Sequence, residues 1–474
     1  MTTPHDSLSA RPTVVIVGSG FGGLFAARAL AKTDADVVLI AKTSHHLFQP
    51  LLYQVATGIL SQGEIAPSTR EVLASQKNAT VVLGEVTDID LASRTLTAQL
   101  IGREETFTQH YDQLIVAAGA TQSWFGHDEF AIHAPGMKSI DDALELRGRI
   151  FGAYEFAEVA AREGRPDEVA DLMTFVVVGA GPTGVEMAGQ LVELSKRTLR
   201  HDFRHIKPSD ARIILLDAAP AVLGSFHRSL QEKTKAALEK LGVDVRLGAM
   251  VTDVDERGIT VRTTGPDGQP REERIGAVTK VWAAGVAASP LAKQLADQVG
   301  LEVDRAGRIP VQPDLTLPGH PEVHVIGDMA ALDKLPGVAQ VAIQGARHSA
   351  TEIKKTFAGE PTGARFTYFD KGSMATISRF RAIAEIGRIR LTGFVAWLAW
   401  LGVHLVYIIG FKSRLTTLIS WFVSFIGRGR AERTITAQQV YGRLALERLA
   451  EIEDIAPDEV EGELADENAR RRSA

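Results

Sequence analysis

Two glycine-rich turns carry the most specific chemistry in this chain. The first, Gly18-Ser19-Gly20-Phe21-Gly22-Gly23, follows the apolar run Val14-Val15-Ile16-Val17. The second, Gly179-Ala180-Gly181-Pro182-Thr183-Gly184, follows Phe175-Val176-Val177-Val178. Each reads G-x-G-x-x-G between an apolar strand and a helix, a pattern that brings backbone N–H groups and a helix N-terminus against a pyrophosphate. One such turn is weak evidence, but two in phase with strands point to two dinucleotides. Asp217 ends the second strand of the second unit, where a carboxylate binds both ribose hydroxyls and repels a 2′-phosphate, favouring NADH over NADPH. The plainer reading of Asp217 is a turn residue before Pro220. The first unit has Ala41-Lys42 at the matching place, so another group must serve its ribose, with Lys42, Thr43 and Ser44 in reach.

The elements needed to hold these turns follow from the pattern. The first unit runs from the strand at Val14 through a helix near 24–31 to a strand at 37–40; a strand at 114–116 then ends in Ala117-Ala118-Gly119. The second repeats that order, with a helix over 184–199, a strand at 213–216 and a closing strand that ends in Ala283-Ala284-Gly285. This duplication predicts a doubly wound α/β architecture. A further strand, Val323-His324-Val325-Ile326, runs into Gly327-Asp328, a pair suited to a ribityl hydroxyl or the pyrophosphate region. The first domain is therefore expected to be discontinuous, 12–145 and 301–378, with the second, 146–300, inserted into it.

Composition narrows the chemistry further. The 474 residues include no cysteine, which removes every route that passes electrons through a redox disulfide and every Cys-based metal site. The formal net charge of −6 is matched by residues 451–474 alone, which read as a solvated acidic tail. The start, residues 1–11, lacks a basic segment followed by an apolar one and is not expected to be a secretory signal, so the redox chemistry should face the cytoplasm. No nucleic acid is expected as a partner. Residues 379–430 differ from the rest, with eight Arg or Lys against the single acid Glu385 and three of the five tryptophans. Within them 394–411 is apolar apart from His404, and a second apolar segment covers 415–426.

These residues together resemble the type II NADH dehydrogenases, single-chain NADH:quinone oxidoreductases that pump no ions, and most of all the actinobacterial members. The resemblance runs from Val14 to about Gly427. It rests on His45-His46-Leu47-Phe48-Gln49-Pro50-Leu51-Leu52-Tyr53-Gln54, on 179–186, on Gly327-Asp328, on Ala339-Gln340-Val341-Ala342-Ile343-Gln344 and on the basic, Trp-rich C-terminal region. It implies two Rossmann-like domains of the glutathione-reductase flavoprotein type plus a C-terminal helical membrane-association segment over 379–430, followed by a helix and tail over 431–474. Non-covalent FAD would occupy the first unit and NADH the second.

The same resemblance implies residue roles. Gly18, Gly20, Phe21, Gly22, Gly23, Lys42, Gln49, Pro50, Val86, Ala118, Gly119, Gly327 and Asp328 would bind FAD. Gly179, Gly181, Pro182, Thr183, Gly184, Asp217, Ala284 and Gly285 would bind the nicotinamide nucleotide. Glu186 would sit near nicotinamide and flavin, positioning them or relaying a proton; its plainer reading is a carboxylate at a helix N-terminus. Gln340 and Gln344, spaced i, i+4, would share a helix face at the quinone pocket, where neutral amides donate to carbonyl oxygens without burying a charge. The segment from Phe48 to Tyr53 would pack on the flavin, His45 and His46 would bond locally, and Lys371 and Lys412 would approach flavin or membrane. No metal is expected. The partners implied are menaquinone or ubiquinone and a second copy of the chain; the net positive C-terminal region adds an anionic lipid surface. The location expected is the cytoplasmic face of the inner membrane. A helical hairpin in the interface is favoured over a single spanning helix, since 394–411 is near the lower length limit and basic residues follow at once. Rival functions are another NADH-dependent flavoenzyme, such as a ferredoxin reductase or an NADH oxidase, and a non-catalytic NADH sensor.

Overall fold

The computed structural model describes residues 11–436 apart from 266 and 428, together with residue 439. The acidic stretch 451–474 and Arg428 lie outside the described residues.

Two parallel sheets carry the two glycine turns. The larger has eight strands, and its central parallel strands are His320–Val325, Gln113–Val116, Thr13–Val17, Asp36–Ala41 and the start of Ala79–Asp90. Val14, Val15, Ile16, Leu114, Ile115 and Val116 are all fully buried, as expected for β-branched and aliphatic runs covered on both faces. His320–Val325 pairs with Gln113–Val116, so chain from beyond the second unit completes the first unit's sheet. The second sheet orders Val243–Leu247, Arg212–Asp217, Thr174–Val178 and Thr279–Trp282, all parallel. The two Ala-Ala-Gly ends meet directly: Ala120–Gln122 pairs antiparallel with Val286–Ala288, a two-stranded bridge between the units.

A third body closes the cleft between them. Strands Ser373–Ser378, Arg381–Ile386 and Ile389–Thr392 form a small antiparallel sheet, followed by helices Gly393–Tyr407 and Phe411–Ile426. The helices lie in the expected C-terminal segment, but the expected boundary at 378/379 falls inside a β-hairpin. The reason is local: Ala375–Ser378 and Ala382–Ala384 are continuous buried runs covered on both faces, with Gly387 at φ +56 making the second turn. The sheet packs on the second unit's nucleotide helix, Pro182–Glu193, so closely that a Cβ on Gly189 would lie 1.8 Å from the Ile377 carbonyl oxygen.

The apolar stretch 394–411 is likewise not one helix. Its helix ends at Tyr407, Gly410 adopts φ +91, and the Arg414 guanidinium caps the freed Val406 and Ile408 carbonyls at 2.9 and 2.7 Å. Fifteen residues span about 22 Å, short of the ~30 Å hydrocarbon core. Among the described residues no helix is long and apolar enough to cross a membrane. The hairpin turns its tryptophans inward, with Trp397, Trp400 and Trp421 buried, and its aliphatic and phenyl groups outward.

Candidate functional site

A cleft of about 580 Å³ opens where the three bodies meet. Its floor is the first glycine turn. Gly18 (φ +101) lies so close to Ala117 that a Cβ would meet its carbonyl oxygen at 2.5 Å, and a Cβ on Gly23 would meet the Gly18 oxygen at 1.8 Å. Gly20, by contrast, has nothing within 4 Å of its Cβ position, an open approach to the start of helix Phe21–Ala29. That helix has no side-chain cap and no acid in its first turn, so its free N–H groups face the cleft as an anion cradle.

Of the residues expected at the flavin, Gly18, Gly20, Phe21, Gly22, Lys42, Gln49, Pro50, Ala118, Gly119, Gly327 and Asp328 line this cleft. Gly23 sits beneath it as the helix–strand contact. Val86 does not reach the cleft; it is buried with Val15, Val17 and Ile40 on one face of the sheet. Beside it, Glu85 approaches Lys42 at 3.6 Å, placing an acid one strand over from the missing ribose carboxylate.

The second turn repeats the first. Gly179 (φ +103) and Gly184 are closed to a Cβ, at 2.7 Å from Ala284 N and 1.7 Å from the Gly179 oxygen, while Gly181 is open. Pro182, Thr183 and Glu186 reach from this turn into the flavin cleft. Asp217 accepts from Ala180 N at 2.5 Å and Ala219 N at 2.7 Å, so its carboxylate also braces the turn. Ala284 and Gly285 are held by Gln122, whose Nε2 donates to their carbonyls at 2.5 and 2.7 Å.

Glu186 is buried, and burial pushes its carboxyl up to about 8 against the pull of Thr376, whose N–H and hydroxyl donate to Oε1 at 3.1 and 3.3 Å. The two glutamines part company. Gln344 spends its amide on the Phe369 backbone, donating to its oxygen and accepting from its nitrogen, both at 3.0 Å. Gln340 keeps a buried Oε1 without a partner and lies beside Tyr407, whose hydroxyl accepts from Lys371 Nζ at 2.8 Å. Lys371 thus sits at the hairpin's first helix, whereas Lys412 lines a separate surface cleft with Arg28 and Glu64. His46 Nδ1 bonds the Ser19 carbonyl at 2.9 Å, a local role.

Comparison with known proteins matches this geometry. A model of the pyridine nucleotide-disulphide oxidoreductase family covers residues 12–346. The chain is 57% identical to the type II NADH:quinone oxidoreductase Ndh of Mycobacterium tuberculosis over 456 residues, 95% of this chain and 96% of that one. The chain belongs to the type II NADH:quinone oxidoreductases. It is also 30% identical to the Staphylococcus aureus type II NADH:quinone oxidoreductase over 388 residues, 79% of this chain and 90% of that one. NDH2 of Plasmodium falciparum, solved in complex with NADH, shares the fold at a TM-score of 0.78 and 20% identity, covering 88% of this chain and 99% of that chain.

Several cleft residues of this type II NADH:quinone oxidoreductase are not evident from sequence motifs. Met137, Lys138 and Ser139, Val338 and Ala339, Met374 and His404 all line it. Ser139 also forms a capping box with Asp142 at the start of helix Ile140–Arg162. Thr376 carried no signal, because its role depends on a strand packing across 190 residues of chain.

Proposed function

We propose that the protein oxidises NADH and reduces a membrane quinone through FAD bound in the cleft, from the cytoplasmic face of a membrane that it does not span. The observation that carries this is the single cleft fed by both glycine turns, with Glu186 and the apolar hairpin at its walls. The residues fit FAD: Gly20 leaves room for a pyrophosphate on the helix N-terminus, and Asp328 stands at the strand end where ribityl hydroxyls need an acceptor. Bound there, FAD supplies a two-electron carrier between a hydride donor and a quinone.

The chain's own residues do the rest. The second turn and Asp217 hold the nicotinamide nucleotide with Pro182 and Thr183 pointing its reactive end into the cleft. Glu186, neutral at pH 7 because burial raises it to about 8, holds a proton in reach of that end. Gln340 and Tyr407 offer neutral polar groups, with Lys371 beside them, on the side where the hairpin packs. Gln344 acts at one remove, by clamping the Phe369 backbone against its helix. Phe48, edge-on to Phe21 and to His404, helps exclude water.

The hairpin supports the membrane part of this reading. Phe394, Val395, Leu398, Val406, Phe411, Phe422 and Ile426 are each half exposed or more, far more apolar surface than a soluble face presents. Lys412 and Arg388 suit anionic headgroups beside it. A homodimer is part of the proposal. The test is NADH oxidation by the FAD-loaded protein with a menaquinone or ubiquinone analogue, compared with oxygen and with ferredoxin. Acceleration by quinone alone is expected; equal turnover without quinone would reject the reading.

A further inference from the structure

Glu186 is the end of a hydrogen-bond chain that starts in the second C-terminal helix. Trp421 Nε1 donates to Gln54 Oε1 at 2.7 Å, Gln54 Nε2 donates to the Tyr53 hydroxyl at 3.0 Å, and that hydroxyl lies 3.0 Å from Thr376 Oγ1. Thr376 then donates to Glu186 Oε1 from both its hydroxyl and its N–H. The linking residues Trp421, Gln54, Tyr53 and Thr376 are all 4% exposed or less. Four elements from separate parts of the fold meet in it: Phe411–Ile426, Leu52–Ala56, Ser373–Ser378 and Pro182–Glu193.

With Glu186 ionised, the direction of each bond follows from what each group can do. An indole N–H only donates, which fixes the Gln54 amide with its oxygen toward Trp421 and its NH₂ toward Tyr53. Tyr53 therefore already accepts from an amide that cannot accept in return, and its one proton has a single outlet, Thr376 Oγ1. Thr376 in turn has one proton and one remaining acceptor, Glu186 Oε1. The Thr376 N–H can only donate, so it keeps Oε1 as an acceptor and leaves Oε2 for a proton on the carboxyl.

We propose that Trp421, Gln54, Tyr53 and Thr376 are positioning residues that form a one-way hydrogen-bond chain, orienting Glu186 and placing its exchangeable proton on Oε2. The chemistry at the cleft is thereby tied to the seating of the membrane-side helix. This rests on the reading of Glu186 as the group that holds a proton near the nicotinamide. The titratable and charged groups on the elements packed around it are few. Tyr53 lies on Leu52–Ala56, His404 on Gly393–Tyr407, and Arg379 follows Ser373–Ser378. Glu193, on its own helix, is paired with Arg197 at 3.2 Å, and Arg430 is bonded to Gln190 at 2.9 Å. None of these is a first cause of the Glu186 shift; desolvation is.

The test is an infrared pH titration of the protonated carboxyl C=O band in the oxidised, FAD-loaded enzyme, with the pH profile of flavin reduction by NADH measured alongside. Wild type should show a band with a midpoint near 8 that Glu186→Gln abolishes. Removing a donor to the charged form raises the midpoint: about one unit for Thr376→Val, about half a unit for Tyr53→Phe, and about 0.2 unit for Trp421→Phe. Thr376→Ser keeps the hydroxyl and should stay within about 0.3 unit of wild type, which separates loss of the bond from loss of fold. If Glu186→Gln removes the band but Thr376→Val and Tyr53→Phe leave the midpoint in place, the chain proposal alone is overturned. If the band and the profile survive Glu186→Gln, the reading of Glu186 falls, and the chain proposal with it.

Discussion

In the first unit a Cβ on Gly23 would lie 1.8 Å from the Gly18 carbonyl oxygen, and in the second a Cβ on Gly184 would lie 1.7 Å from that of Gly179. Gly18 and Gly179 share φ near +100, and Gly20 and Gly181 are both open. The two turns are near copies where they meet a pyrophosphate. They diverge where they meet a ribose. Asp217 is tied by two backbone N–H groups into its own turn, whereas Ala41 leaves that place without a carboxylate and Glu85 stands one strand away beside Lys42. Their surroundings diverge too. Gly18 to Gly22 of the first turn line the cleft with Met374 and His404, while of the second turn only Pro182 and Thr183 do. A cradle on the floor of the cleft suits a resident cofactor, and one with a fixed ribose acid suits a nucleotide that must come and go.

The largest effects should come from closing either cradle. Gly23→Ala should lower FAD affinity by at least ~100-fold, seen as protein purified without yellow colour. Gly184→Ala should keep the colour but lose flavin bleaching by NADH. If both variants lose FAD equally, the two units are not independent sites. Next is Asp217→Ala, which removes an acceptor for ribose hydroxyls and unties the turn; the KM for NADH should rise about 10- to 100-fold with FAD content unchanged. An effect on FAD instead would reverse the assignment of the two cradles.

A smaller effect tests the hairpin. Phe411→Glu with Phe422→Glu should lower co-sedimentation with anionic vesicles by about 10- to 100-fold, since two partly inserted phenyls together give up about 1.5–3 kcal/mol. Flavin reduction by NADH in detergent should not change. The smallest effect concerns Glu186. Its folded pKa, about 8, is raised above the ordinary value of 4.5, so its protonation contributes stability that is fully present below about pH 4.5 and lost as pH rises through 8. Glu186→Gln should therefore match wild type in Tm near pH 4 and exceed it by a few degrees above pH 8; a constant difference at both values would contradict a neutral Glu186.

Much of this was legible in the chain itself. The glycine spacing, the apolar runs before it and the repeated Ala-Ala-Gly ends identified both nucleotide units, because these features act locally and in sequence order. The return of 320–325 to the first sheet was signalled by Gly327-Asp328. What was not legible depended on packing between distant segments. The sheet over 373–392 carried no signal of its own, because its short apolar runs are buried only by packing on the second unit's nucleotide helix. Gln344 looked like a free amide until its helix was set against Phe369. Thr376, Tyr53 and Gln54 acquire their roles only once strand, helix and hairpin come together around Glu186.

The central claim, one cleft passing electrons between two unlike cradles, is tested most directly by anaerobic double-mixing. FAD-loaded enzyme is first bleached with one equivalent of NADH, then mixed with a quinone analogue while flavin absorbance is followed. Bleaching that Gly184→Ala abolishes is expected, then prompt recovery of colour on addition of quinone. Recovery no faster with quinone than with buffer, or bleaching that survives Gly184→Ala, would contradict it.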